Sequence, residues 1–401
     1  MKRGVAAVNW HKPSTIQALA LPYMLAPSRP CMLAQAKSGS GKTGTFGLAM
    51  LAAVDVRVAK PQAVCLAPTR DLAIQTARRL EQLAVRMDPK PTVNFVVGGT
   101  DYTEPITAQV VVASPGKLAG LMARRSMFDA SAVSVFVLDE ADDMIVNFLK
   151  EVTGIKKVVT KARRGALVQT LLFSASFECL QPDNTDSARA VKFADEVLDR
   201  TSRSPATIRI PDLVKLRLDS VTHFVAALHP PATADAYRVK AEFLASVYNM
   251  MGAGKTIVFC DTTRAVHSVV DSMKALAGQT PSFITGEKTV TTAERIKAQN
   301  DFASGATKVL VATDLYSRGM DFPNLKLVVN FDLPITHGSS VPDFGTFQRR
   351  CGRVGHMTAD GTAARGVCIH LVTEPGAIVA LARHFGLPLL PLRIDPVEAA
   401  A

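Results

Sequence analysis

A succession of short apolar runs separated by helix-length segments constrains the fold of this 401-residue chain more than any other feature. In the first half the candidate strands are Met32–Ala36, Val64–Ala67, Val93–Val97, Val110–Ala113, Val135–Leu138 and Thr170–Phe173, with Thr207–Ile210 last. In the second half they are Ile257–Cys260, Ser282–Thr285, Lys308–Ala312, Leu327–Asn330 and Val367–Leu371. Runs this brief and apolar suit strands buried on both faces, and the intervening helices are what parallel neighbours need to reconnect. The expected class is α/β, with two mostly parallel sheets flanked by helices, one in each half. Between Pro182 and Pro205 the pattern dissolves into polar residues, with one short helical stretch around Val191–Leu198. Pro211 and Asp212 mark a boundary, so the expected domains are 1–210 and 221–401, joined by a linker at 211–220. A second irregular stretch, Pro334–Phe344, suits a surface loop. No sequence repeat is visible.

Composition narrows the partners. Hydrophobic residues make up 48% and charged ones 20%, which excludes wholesale disorder. No run approaches the roughly 18 apolar residues of a membrane helix, so membrane insertion is not expected. The six cysteines carry no C-x-x-C pair, which excludes a zinc ribbon and points to a reducing compartment. A net charge of +11 points to phosphate-rich partners, although charge alone serves solubility equally well.

The strongest local signal is AQAKSGSGKT, residues 34–43, directly after a strand and directly before the helical run from Thr43 to Val54. Gly39 and Gly41 let backbone N–H groups turn inward around phosphate oxygens, Ser38 precedes the first and Ser40 lies between the two, and the helix N-terminus adds its positive end. Lys42, expected at a solvent-facing junction, would reach the β and γ phosphates, and the Thr43 hydroxyl would hold Mg²⁺. The strict G-x4-G-K-[ST] pattern fails at Ala36, where its first glycine belongs. A similar run, Gly252–Thr256 (GAGKT), precedes its strand and lacks a following helix; it suits a turn with Lys255 solvated.

The second signal is VFVLDEADDM, residues 135–144, where an apolar strand ends in Asp139-Glu140. Such an edge is where ligands bind in open α/β sheets. Asp139 can hold Mg²⁺ through water and Glu140 can orient or deprotonate an attacking water. An acidic helix start accounts for Asp142 and Asp143, but poorly for two carboxylates ending an apolar strand.

These two motifs, in this order and with D-E-A-D spelled out, resemble those of the DEAD-box ATP-dependent RNA helicases, and the likeness runs along nearly the whole chain. WHKPSTIQ (10–17) resembles the Q motif, in which Gln17 reads adenine. Pro68, Thr69 and Arg70 of PTRDLAIQ, Gly98-Gly99, and Ser114, Pro115 and Gly116 of SPGKL resemble RNA-backbone motifs. Ser174 and Ser176 of SAS stand where the family has S-A-T, which with Asp142 and Arg349 would couple hydrolysis to domain closure. IVFCDTTR (257–264), Gly286 with Arg295, and Thr313, Asp314, Gly319 and Asp321 of VATDLYSRGMD match second-domain motifs; of these Gly286, Arg295, Thr313 and Asp314 would meet RNA and Gly319 and Asp321 ATP. QRRCGRVGH (348–356) resembles H-R-x-G-R-x-G-R, with Arg350 and Arg353 acting on the γ-phosphate.

The resemblance implies two tandem RecA-like domains, ATP and Mg²⁺ as cofactors, single-stranded RNA held by its backbone, and protein regulators or a ribonucleoprotein complex as partners. Arg350 and Arg353 would complete a charge clamp when the domains close. Only 6% of residues are aromatic, so a base-stacking platform is not indicated and binding should be sequence-independent and salt-sensitive. The mRNA-export, nuclear-pore subgroup is nearest in flavour, through GKTGTFGLAMLAAVD and NFDLP, which implies a cytoplasmic or nuclear address. A mitochondrial one needs residues upstream of Met1, where the family's adenine-stacking aromatic would also fall. Arg349 and His356 depart from the last motif's histidine and final arginine. That departure keeps open an ATP-binding RNA clamp with little turnover; the charge and the phosphate loop alone would also suit a P-loop ATPase acting on DNA or protein, against which the full motif set weighs.

Overall fold

The computed structural model describes residues 12–36, 40–124, 126–175, 177, 206–209 (backbone alone), 221–231, 233–252, 254–287, 290–313, 325–336, 340–354 and 366–392. The chain divides into two units, Met1–Pro211 and Asp212–Ala401. In the first, strands β1 (Met32–Gln35), β2 (Ala63–Leu66), β3 (Val93–Val96), β4 (Val110–Ala113), β5 (Val135–Asp139), β6 (Gln169–Ser174) and β7 (Ala206–Arg209) form one sheet in the order β3-β4-β2-β5-β6-β1-β7. Helices α1 (Thr15–Met24), α2 (Lys42–Ala52), α3 (Arg70–Ala84), α4 (Pro115–Ala123), α5 (Ala141–Asn147) and α6 (Leu149–Ala162) connect them. All pairings in this sheet are parallel. Strands β2, β4 and β5 are buried along their whole length, as their apolar content requires, with Asp139 at the end of β5 the one charged residue among them.

The second unit contains β8 (Val221–Ala227), β9 (Thr256–Cys260), β10 (Ser282–Ile284), β11 (Val309–Thr313), β12 (Leu327–Asn330), β13 (Gly366–Val372) and β14 (Leu389–Pro391). Its helices are α7 (Ala236–Met250), α8 (Thr263–Ala277), α9 (Thr292–Ser304), α10 (Phe344–Cys351) and α11 (Gly376–Phe385). The sheet is again parallel throughout, in the order β10-β11-β9-β12-β13-β8-β14. Position for position this is the order of the first sheet, β8 answering to β1 and β14 to β7. The chain is thus a structural duplication that leaves no repeat in its residues.

Two strands escape the sequence pattern, and they are the counterparts of β1 and β7. Strand β8 buries Val221, His223 and Ala226 but exposes Thr222 and Ala227, so it never shows a continuous apolar run. Strand β14 is a short edge strand ending in Pro391, where a missing N–H does no harm. The GAGKT stretch does turn into β9, but Lys255 is not simply solvated. Its ammonium donates to the Ala303 carbonyl and lies over the Phe302 ring, because the end of α9 packs there. Ile335 bridges Pro342 across the expected loop. Among the described residues no helix is long and apolar enough to cross a membrane.

Candidate functional site

A parallel sheet gathers the carboxyl ends of its strands on one edge, and in the first unit that edge carries every described candidate residue outside α1. Strands β1, β6 and β5 are consecutive there, and so are β2, β4 and β3. The candidates sort accordingly into two neighbouring groups that meet between β5 and β2.

The first group is the phosphate loop and its acids. Lys37, Ser38 and Gly39 lie outside the described residues. Gly41 precedes α2 with φ +97°, a left-handed conformation that glycine adopts without strain. A side chain there would also collide: an added Cβ would lie 2.9 Å from Gln17 Nε2 and 2.9 Å from Ser14 Oγ. The Q-motif glutamine therefore lies against the loop, held by the Ser14 N–H, which donates to its Oε1 at 3.0 Å. Lys42 is buried, contrary to the solvent-facing position expected of it; its ammonium turns back into the loop and donates to the Ala36 carbonyl at 2.8 Å. Ala36, the residue that breaks the strict motif, thus serves the site through its backbone. Thr43 is half-buried in the first turn of α2 and Ser40 half-buried just before it.

Asp139 ends β5 at 3% exposure, and the Glu140 N–H donates to its Oδ1 at 3.1 Å. Burial, then the neighbouring Glu140 charge, push its carboxyl up to about 7 against the opposing pull of Lys42. Lys42 acts on this acid only through space, because its ammonium is hydrogen-bonded to the Ala36 carbonyl. A divalent ion between Asp139 and the half-buried Thr43 hydroxyl suits that donor set. Glu140 sits at φ +50°, outside the helix that follows, and is only half-buried, so its carboxylate remains accessible. Asp142, in the first turn of α5, accepts from the Ser174 hydroxyl at the end of β6. The expected coupling pair thus meets inside the first unit; Ser176 lies outside the described residues.

The second group is a row of turns. Thr69 caps α3, accepting from Leu72 N–H at 3.2 Å, with buried Pro68 before it. Gly99, at φ +75°, leaves room for Arg70, whose Nη1 would lie 2.5 Å from an added Cβ. Ser114 and Pro115 start α4, and Gly98, Gly99 and Gly116 are exposed. Exposed glycines after adjacent strands offer bare backbone N–H groups to an anionic chain.

In the second unit Gly286 and Thr313 follow and end β10 and β11, the counterparts of β3 and β4. Arg295 on α9 donates to the Glu287 carbonyl at 2.9 Å. Asp314, Gly319, Asp321 and His356 lie outside the described residues. Thr262, which lies in IVFCDTTR with no role drawn from that motif, caps α8 as Thr69 caps α3, after the matching strand; the topology reveals that equivalence. Arg349 donates to Thr346 Oγ1 at 2.6 Å, and Arg353 is buried at 6% exposure. Arg350 has other partners than the phosphate expected of it. At 1% exposure it donates to the Asp332 carbonyl at 2.5 Å, Asn330 Oδ1 at 3.3 Å and Asp261 Oδ1 at 2.9 Å, all within its own unit.

The chain matches the DEAD/DEAH box helicase family over residues 14–184 and the helicase conserved C-terminal domain over residues 239–358. It is 32% identical to the human ATP-dependent RNA helicase DDX25, over 99% of this chain and 76% of that protein. It is likewise 32% identical to the ATP-dependent RNA helicase DBP5 of Eremothecium gossypii, over 96% of this chain and 76% of that protein. Among solved structures it is similar to S. cerevisiae Dbp5 bound to RNA and ADP BeF3, with a TM-score of 0.83 and 29% identity over 99% of this chain and 94% of that one. The tandem duplicated sheets, the phosphate loop and the D-E-A-D edge agree with these likenesses: the chain belongs to the DEAD/DEAH box helicase family.

Proposed function

We propose that this chain is an RNA-stimulated ATPase that clamps single-stranded RNA, opens short duplexes locally and remodels RNA–protein complexes. The observation that carries the reading is the division of one sheet edge: phosphate loop and acids on β1, β6 and β5, exposed glycine turns on β2, β4 and β3. Lys42, preset against the Ala36 carbonyl, exchanges that partner for the β and γ phosphates of ATP. Gln17 holds the adenine end of the same loop, and Gly319 and Asp321 belong to this nucleotide set by motif. Glu140 orients the attacking water and takes its proton, which its accessible carboxylate can do. Thr43 and Asp139 would hold Mg²⁺, which screens phosphate charge when bound. The arginines of the last motif supply the positive charge of the transition state. RNA lies along Pro68–Arg70, Gly98-Gly99 and Ser114–Gly116, and in the second unit along Gly286, Arg295, Thr313 and Asp314. Hydrolysis is reported to the RNA side through Ser174, Ser176, Asp142 and Arg349.

The likeness to DBP5 and to S. cerevisiae Dbp5, also solved bound to nup159, gle1, ip6 and adp, supports protein regulators and a role at the nuclear pore or in the cytoplasm. One observation favours a slower machine, an ATP-dependent clamp with weak turnover: Arg350 is buried and donates to three acceptors inside its own unit. Affinity for a fluorescent single strand, measured with ADP·beryllium fluoride and with ADP, tests the proposal. RNA should bind far more tightly in the first state, should outcompete DNA of the same sequence, and should weaken with salt. Equal affinity in both nucleotide states would refute nucleotide-controlled clamping.

A further inference from the structure

The second unit buries a chain of polar groups whose donors and acceptors run in one direction only. It begins at Arg350, which can only donate and gives one bond to Asn330 Oδ1. The orientation of the Asn330 amide follows: turned over, its NH₂ would face a guanidinium that cannot accept. Its Nδ2 therefore donates, to His370 Nδ1 at 3.0 Å. His370 must then be neutral with its proton on Nε2, and that nitrogen lies 3.0 Å from His223 Nδ1. His223 accepts there and is the Nε2–H tautomer in turn. Burial, His223 and Arg350 push His370 well below the usual histidine range, which agrees with a neutral ring.

The same groups grip α10. The Phe347 ring lies 5.2 Å from that of His370, and Asn330 Nδ2 also approaches Cys351 Sγ at 3.7 Å. Phe347, Arg350 and Cys351 are the face of α10 that meets β12, β13 and β8, and Arg353 follows in the next turn, its N–H donating to the Arg350 carbonyl at 3.1 Å. We propose that Asn330, His370 and His223 are positioning residues: their one-way hydrogen-bond chain sets the guanidinium plane of Arg350 and the seat of α10, and with them the two arginines used in ATP turnover. This rests on the role proposed above for those arginines. Hydrogen bonds between buried polar groups are strengthened by the low local dielectric, and such a network favours one arrangement of the core around it.

His370→Leu and His370→Gln in the full chain test it. Leucine removes the acceptor for Asn330, whereas the glutamine amide can still accept from Asn330 and donate to His223. At saturating RNA, His370→Leu should lower kcat about 10- to 100-fold, the effect of a misplacement of about 1 Å, with KM for ATP unchanged; His370→Gln should recover most of it. Val329→Ala is the control, a core truncation beside Asn330 whose side chain packs in the other core cluster, away from Phe347 and Cys351. Parent kcat in His370→Leu, or an equal fall in Val329→Ala, would overturn the proposal. Arg350→Ala at the parent rate would instead refute the role of Arg350 itself. Histidine side-chain nitrogen spectra need no variant: His223 and His370 should both be neutral with Nε2–H, and a proton on His370 Nδ1 overturns the chain. So would stoichiometric metal in the purified protein, because His223, Cys351 and Cys368 bring ligand atoms within 4.8 Å of one another and ligation would replace these bonds.

Discussion

Replacing Asp139 by asparagine should stabilise the nucleotide-free chain while abolishing ATP hydrolysis, and the gain should depend on pH in a calculable way. Asp139 is 3% exposed, next to the Glu140 charge, and its carboxyl is pushed up to about 7 from 3.8. A carboxyl raised on folding binds more protons folded than unfolded between those two values, so stability falls as pH rises through that window. At 1.36 kcal/mol for each pH unit, the ionised carboxylate costs the folded chain about 4 kcal/mol above pH 7 and almost nothing near pH 4. Asparagine is nearly isosteric, never ionises, and its Oδ1 can still accept the Glu140 N–H. The stability difference between variant and parent, from urea unfolding in chelator, should therefore rise from near zero at about pH 4 to a few kcal/mol at pH 8. A flat difference across that range would mean that the buried carboxylate is ionised at no cost, and the case for a cation-hungry site would fail.

Three further substitutions bear on the same edge. Glu140→Gln keeps shape and loses the base, so RNA affinity in the presence of ATP should exceed that of the parent; no gain with hydrolysis intact would contradict the role of Glu140. Gly41→Ala forces a side chain into φ +97° and to 2.9 Å from Gln17 Nε2, a strain of about 1–2 kcal/mol before the collision; calorimetry should find ATP binding weakened about tenfold or more in a chain that still folds. Gly99→Ala displaces Arg70, 2.5 Å from the new methyl, and should weaken RNA binding while leaving nucleotide affinity alone; the reverse would dissolve the division of the edge.

Sequence legibility followed burial. Strands such as Val110–Ala113 announce themselves because both faces are buried and every residue is apolar. Strand β8 does not, since Thr222 and Ala227 are exposed and a histidine occupies a buried position. Motif residues were legible as residue types at fixed spacing, and the sheet edge puts Lys42, Asp139 and Glu140 on adjacent or near-adjacent strands. What spacing could not show is partnership across long separations. The Ala36 carbonyl under Lys42, Gln17 against Gly41, and the engagement of Arg350 by Asp261, Asn330 and Asp332 are set by tertiary packing. Lys42 shows the consequence: a lysine at a loop–helix junction suggests exposure, yet its ammonium turns back to the Ala36 carbonyl and the side chain is buried.

The central claim is that the β1-β6-β5 edge hydrolyses ATP under the control of RNA bound at β2-β4-β3. Steady-state ATP hydrolysis by the purified chain, with no nucleic acid, with saturating single-stranded RNA and with DNA of the same sequence, tests it most directly, alongside Lys42→Ala assayed below its own unfolding temperature. The account predicts slow hydrolysis alone, strong stimulation by RNA and not by DNA, and loss of the stimulated rate in Lys42→Ala by ~10³-fold or more. A rate that RNA leaves unchanged, or one that Lys42→Ala retains, would contradict it.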